Sequence, residues 1–99
     1  MIPFRVEIIP AAREQFEQAV RWWIENTSRS ELLKSEIGEA LSLLSRHPEA
    51  GTEAPQLPGV RRLLLRQTQH LIYYRVLRGR REVRILAFWH TSRGSRPPL

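Results

Sequence analysis

Apolar residues recur along this chain with two different periods. From Phe4 to Ile9, Phe4, Val6 and Ile8 alternate with Arg5 and Glu7. That is the period of two of a half-buried strand, and Pro10 stops it because proline has no N–H to give to a ladder. The spacing then lengthens to three and four. Ala12, Phe16, Ala19, Val20 and Trp23 form one stripe, which predicts an amphipathic helix ending near Asn26. A second stripe of Leu33, Ile37, Ala40, Leu41 and Leu44 predicts a second helix. Ser28 with Glu31 three residues on reads as its capping box, and His47-Pro48 as its stop. Three prolines and two glycines between Pro48 and Gly59 predict a surface connection. Three strand-like runs follow, Val60 to Arg66, Gln69 to Leu77 and Glu82 to Trp89.

The order β-α-α-β-β-β predicts one two-layer α+β domain over residues 1–99, a helical hairpin packed on one face of a largely antiparallel sheet. Two-residue turns at Gln67-Thr68 and at Gly79-Arg80, the latter with glycine at its first central position, are expected to set the register. Leu63, Leu65, Ile72, Tyr74, Val76, Val83, Ile85, Ala87 and Trp89 then face the helices. Arg62, Leu64, Arg66, Leu71, Tyr73, Arg75, Arg84, Leu86, Phe88 and His90 face away, and a one-residue bulge would exchange part of the two sets. The closing SRPPL is expected to be extended or frayed.

Composition narrows the class. Ninety-nine residues suffice for one core and no second unit, so any site must share residues with the fold. The chain has no cysteine, no basic leader before a long apolar run and no stretch approaching the ~20 apolar residues of a membrane span. The expectation is a soluble protein of the reducing cytoplasm. Charge is uneven: residues 1–60 hold five Arg, one Lys and nine Glu, whereas residues 61–99 hold ten Arg and one Glu. A basic second half points to a polyanion or an acidic protein partner. Arginine in place of lysine suits planar, bidentate contact with phosphate or carboxylate.

The candidate chemistry gathers on the face turned away from the helices. Arg75 and Arg84 fall directly opposite each other, a like-charge pair that costs stability unless an anion lies between them or the guanidiniums splay into water. At the other end of that face Arg66 and Gln69 approach His90. RNA cleavage needs a base, an acid and cations around one phosphate. His90 or Tyr73 offers the proton transfer, and Arg62 or Arg66 the charge. The bland reading of His90, the polar end of a buried strand, weighs against this set. Metal binding is not expected, because His47, His70 and His90 lack ligand spacing and aspartate is absent. No phosphate-cradling glycine loop or other cofactor motif occurs. Trp22 is expected to cover the helix contact or to meet a partner.

The stretch LPGVRRLLLRQTQHLIYYRVLRGRREVRILAFWHTSR, Leu57 to Arg93, resembles the C-terminal half of RelE/ParE-superfamily toxins of type II toxin-antitoxin modules. The likeness rests on the LPGVR entry, HLIYYRV, and H-x-x-R after the last strand. LSRHPEAG and the FRVEIIPAAREQFEQAV opening extend it over nearly the whole chain. The signatures are more similar to the ParE branch. The chain departs from the RelE branch in lacking a lysine pair in the second strand, a tyrosine after His90 and a closing helix. The resemblance implies a growth-arresting toxin of the plasmid-stabilisation type that poisons DNA gyrase and is neutralised by a cognate antitoxin with an acidic tail. The alternative it implies is a ribosome-dependent mRNA endoribonuclease using His90, Tyr73, Arg62 and Arg66. The surface expected to meet target or antitoxin comprises Arg62, Arg66, Arg75, Arg84, His90 and Arg93, without cofactor, metal or membrane. A homodimer or a toxin-antitoxin hetero-oligomer is the implied assembly.

Overall fold

A computed structural model describes residues 2–99. Strand β1 (Arg5–Ile8) leads into helix α1 (Pro10–Asn26), and helix α2 (Ser30–Arg46) follows after three residues. A short strand β2 (Thr52–Glu53) lies inside the expected connection, and β3 (Arg61–Leu65), β4 (His70–Leu77) and β5 (Glu82–His90) complete the chain. The five strands form one sheet in the order β1-β5-β4-β3-β2, with β1 parallel to β5 and the other neighbours antiparallel. The predicted two-layer α+β architecture is therefore the observed one.

Pro10 opens α1 at its first position, where a missing N–H costs nothing because the helix would leave that donor unpaired anyway. The expected capping box of Ser28 and Glu31 does not form. Arg29, not Ser28, stands at the N-cap of α2 without a side-chain cap, and Thr27 Oγ1 accepts the Arg29 N–H at 3.0 Å while donating back to Trp23 O. Ala12 and Phe16 of α1 and Leu33, Ala40 and Leu44 of α2 meet Leu65, Ile72, Tyr74, Val83, Ile85 and Phe88 of the sheet in the main core. Trp22 stays more than half exposed and joins neither the helix contact nor the core.

The register of β3 on β4 is the predicted one, Leu63 opposite Ile72 and Leu65 opposite His70. On β5 it holds from Leu77 opposite Glu82 to Tyr74 opposite Ile85, and then slips by one residue, so that Tyr73 meets Ala87 and Ile72 meets Phe88. This bulge moves Phe88 onto the helix face, where it stacks on Phe16 at 4.3 Å. Ala87 and Trp89 move to the other face, and His90, now opposite His70, turns its ring edge toward the helix side, all against the expectation. Two further corrections concern the turns. Leu65 pairs with His70 and Leu77 with Glu82, so both loops span four residues, and the left-handed positions are Gln69 (φ 59°) and Arg81 (φ 49°) rather than Gly79. Arg81 is steadied there by donation to Ile2 O at 2.7 Å and by the Phe4 ring beneath it.

Two buried polar clusters tie the sheet together. Glu82, 2% exposed, receives Arg5 at 2.8 Å and Arg84 at 2.7 Å. Burial pushes its pKa up, but the hydrogen bonds from Arg84 and Arg5 and the fields of both cations outweigh this and hold the carboxyl below its ordinary range. Across the sheet, the fully buried Tyr74 donates its hydroxyl to Pro48 O at 2.7 Å and accepts the Gly51 N–H at 2.9 Å. A Cβ on Gly51 would lie 2.5 Å from Arg62 O, so only glycine lets the connection pass this close to β3. Tyr74→Phe leaves both backbone groups unpaired and is expected to lower stability by about 1–2 kcal/mol. An unchanged urea midpoint for that variant would show the pin to be dispensable.

Candidate target-binding groove

The sheet face turned away from the helices is covered at one end and open at the other. Ala54, Leu57 and Val60 from the loop before β3 pack on Tyr73 and Ala87 and form a small second core. Beyond it lies a groove of about 550 Å³ whose floor is Leu64, Leu71, Tyr73 and Trp89 and whose flank is the C-terminal segment from Thr91 to Arg96. Arg62, Arg93 and Arg96 line it together with His90, and no carboxylate does. Such a surface attracts phosphate or carboxylate groups and has apolar area for the group that carries them.

The C-terminal segment is docked, not frayed. Trp89 Nε1 donates to Ser95 O at 2.8 Å, Arg96 reaches Pro55 O at 3.4 Å and Pro97 is buried. Arg93 lies over the Trp89 ring at 4.0 Å, a cation–π contact that presents its guanidinium to the groove. His90 Nδ1 accepts the Ser92 N–H at 3.1 Å and lies 2.7 Å from Ser92 Oγ. These bonds leave the proton of the neutral ring on Nε2. The ring edge meets His70 at 4.9 Å. His70, opposite His90 on the helix side of the sheet end, stacks on Phe88 at 4.4 Å. Its pKa falls from 6.5 to about 4, chiefly through burial and then through the neighbouring His90, against opposing pulls from Glu36 and a backbone bond at Thr68.

Of the residues singled out by sequence, Arg62, Tyr73, His90 and Arg93 share this groove. Arg66 is exposed on the turn before β4 and does not line it. Arg75 and Arg84 do stand opposite each other, but outside the groove. The chain relieves their repulsion itself, because Arg84 binds Glu82 at 2.7 Å and Arg75 reaches Pro58 O at 3.3 Å. Arg75 passes over Gly59, whose φ of +77° and missing Cβ leave room for the guanidinium. Sequence reasoning passed over Trp89 as a groove residue because the bulge reverses its face, and over Arg96 because nothing in SRPPL announces a docked segment. No group of three potential metal ligands occurs among the described residues, and no described helix is long and apolar enough to cross a membrane.

A second concavity of about 550 Å³ runs along the helices, with Phe16, Val20, Ile24, Ile37 and Leu41 as its apolar floor and Arg13, Arg21 and Lys34 with one carboxylate, Glu17, at its edge.

A helical hairpin on a mixed five-stranded sheet, with a cationic groove at the sheet end and an apolar groove on the helices, defines a small two-layer α+β domain. Residues 6–94 match the family model described as ParE toxin of type II toxin-antitoxin system, parDE, and the chain belongs to that family. It is a toxin of the RelE/ParE superfamily. Among solved structures it is similar to the chromosomal ParDE system from P. aeruginosa, with 20% identity over 91% of this chain and 98% of that one and a TM-score of 0.71. It is also similar to the RelBE2 toxin-antitoxin complex from Mycobacterium tuberculosis, with 22% identity, 93% and 95% coverage and a TM-score of 0.68. The isolated E. coli RelE toxin gives 17% identity, 93% and 88% coverage and a TM-score of 0.60. At these identities the likeness is one of fold. A search of curated protein sequences returned no significant match.

Proposed function

We propose that this toxin arrests growth in the cytoplasm by inhibiting DNA gyrase, using the cationic groove and its C-terminal flank as the contact surface. The observation that carries this reading is a groove lined by Arg62, Arg93 and Arg96 over an apolar floor, in which the candidate proton carriers are only partly available. Tyr73 is only 3% exposed, Arg66 lies outside the groove, and His90 Nδ1 is occupied by Ser92. Three arginines over an apolar floor suit the holding of an anionic or mixed surface. Neutralisation follows from the two concavities together. An antitoxin with an acidic tail would pair its carboxylates with Arg62, Arg93 and Arg96 and lay apolar side chains into the helical groove, whose cationic edge suits the same partner. Purified toxin should block supercoiling by gyrase at micromolar concentration, and no inhibition together with degradation of reporter mRNA would overturn the proposal.

One observation favours a second reading, ribosome-dependent mRNA cleavage: Arg62, Tyr73 and His90 line the same groove. Codon-linked cuts mapped by primer extension and lost in His90→Ala would establish it in place of the first.

A further inference from the structure

Glu36 projects from α2 to the turn between β3 and β4, and its carboxylate accepts three hydrogen bonds there. Gln67 N–H donates at 2.7 Å, Thr68 N–H at 2.9 Å and the Thr68 hydroxyl at 2.6 Å. The two backbone donors belong to a loop whose last residue, Gln69, is left-handed, a conformation that glycine would hold without strain and glutamine does not. Glu36 thus supplies from a helix the partners that the turn lacks within itself.

Two routes lead from this turn to the groove. Thr68, 3% exposed, has given its only hydroxyl proton to Glu36, so at 3.2 Å from His70 Nδ1 it can only accept. His70 must therefore carry its proton on Nδ1, which fixes the plane of the ring that stacks on Phe88 and meets the edge of His90. The other route is through the backbone. Gln69 O accepts the Thr91 N–H at 2.9 Å, and the same short segment closes with Arg93 N–H donating to His90 O at 3.2 Å. His90 and Arg93 thus take their places from a turn whose shape is set on the opposite side of the sheet.

We propose that Glu36 is a positioning residue for the groove, holding the 66–69 turn so that His90 and Arg93 are presented to the target. The assignment of a target to this groove rests on the function proposed above, whereas the positioning itself does not. In Glu36→Ala the Thr91 amide should exchange about tenfold faster, as expected when its acceptor is no longer fixed, and the ring nitrogens of His90 should shift in ¹⁵N spectra. Glu36→Gln keeps an acceptor oxygen and should restore part of both signals. Unchanged Thr91 exchange and His90 shifts in Glu36→Ala overturn the positioning role.

Gyrase inhibition by Glu36→Ala should require roughly tenfold more toxin, the ratio that loss of one charged hydrogen bond produces. Val83→Ala, destabilised in the main core at the far end of β5 from the groove, should inhibit like the wild type. Equal loss in both variants would mean that stability alone is responsible and would also overturn the role. If wild-type toxin fails to inhibit gyrase, the proposed target is wrong, and the exchange and ¹⁵N measurements still decide whether Glu36 positions the groove.

Discussion

The double substitution Arg62→Glu and Arg93→Glu is expected to abolish growth arrest and to raise the toxin concentration needed for gyrase inhibition by at least about 100-fold. Neither arginine has an acidic partner within the groove, because no carboxylate lines it. Arg62 is half-buried beside Tyr73 on β4, and Arg93 is held on Trp89. Arg62 is thus partly shielded, and Arg93, though exposed, is partly fixed by its ring contact before a target arrives, and disrupting one charge pair at such a contact costs about 2 kcal/mol or more. Exposed pairs contribute only about 0 to 1 kcal/mol each, so the matched control is Arg80→Glu on the exposed turn between β4 and β5. That variant should change inhibition by no more than about threefold. The double variant should keep its fold, because neither side chain belongs to the Glu82 or Tyr74 cluster. Wild-type inhibition by a folded Arg62→Glu/Arg93→Glu protein would remove the groove from the target contact.

The same surface shows what the sequence could and could not convey. Strands β3 and β4 are legible because the short connection between them, whether closed as a two- or a four-residue loop, allows one pairing, Leu63 with Ile72. The second half of β5 is not. ILAFW is apolar at every position, and it can be so because both faces are covered, by the helices on one side and by the loop before β3 with the C-terminal segment on the other. Alternation carries no information under those conditions. The slip opposite Tyr73 is decided by contacts far away in sequence: Phe88 on Phe16, and the Phe88 N–H on Gln15 Oε1 at 2.7 Å. Long-range polar partners were hidden for the same reason. The repulsion between Arg75 and Arg84 is visible in the register and suggests an anion between them, while the buried Glu82 that answers Arg84 is organised together with Arg5, 77 residues away. Candidate residues could be named by type, yet their sorting into groove, turn and internal ion cluster depended on the bulge and on these distant pairs.

Acid should destabilise this fold well before its carboxylates titrate, and His70 should be the cause. The ring is 5% exposed and lies against Phe88, with His90 at its edge, Glu36 behind Thr68 and Arg93 nearby. Burial, His90 and Arg93 disfavour the charged ring, and Glu36 only partly opposes them, so the pKa drops from 6.5 to about 4. Below 6.5 the unfolded chain binds a proton at this residue and the native state does not. Stability from the neutral ring is therefore complete above pH 6.5 and is lost progressively as the pH falls to about 4. A fall of this size corresponds to roughly 3 kcal/mol when titration is complete, of which about 2 is lost by pH 4.5. Glu82 acts in a lower window, since its depressed pKa keeps its contribution intact until the pH drops below the unfolded carboxyl value of about 4.3. His70→Phe separates the two. Phenylalanine can still stack on Phe88, and the Thr68 hydroxyl keeps its bond to Glu36. Urea unfolding near pH 7 and near pH 4.5 should show the wild type losing about 2 kcal/mol and His70→Phe losing only a small part of that. Equal losses in the two proteins would place the acid sensitivity elsewhere, because no titration remains at position 70 in the variant.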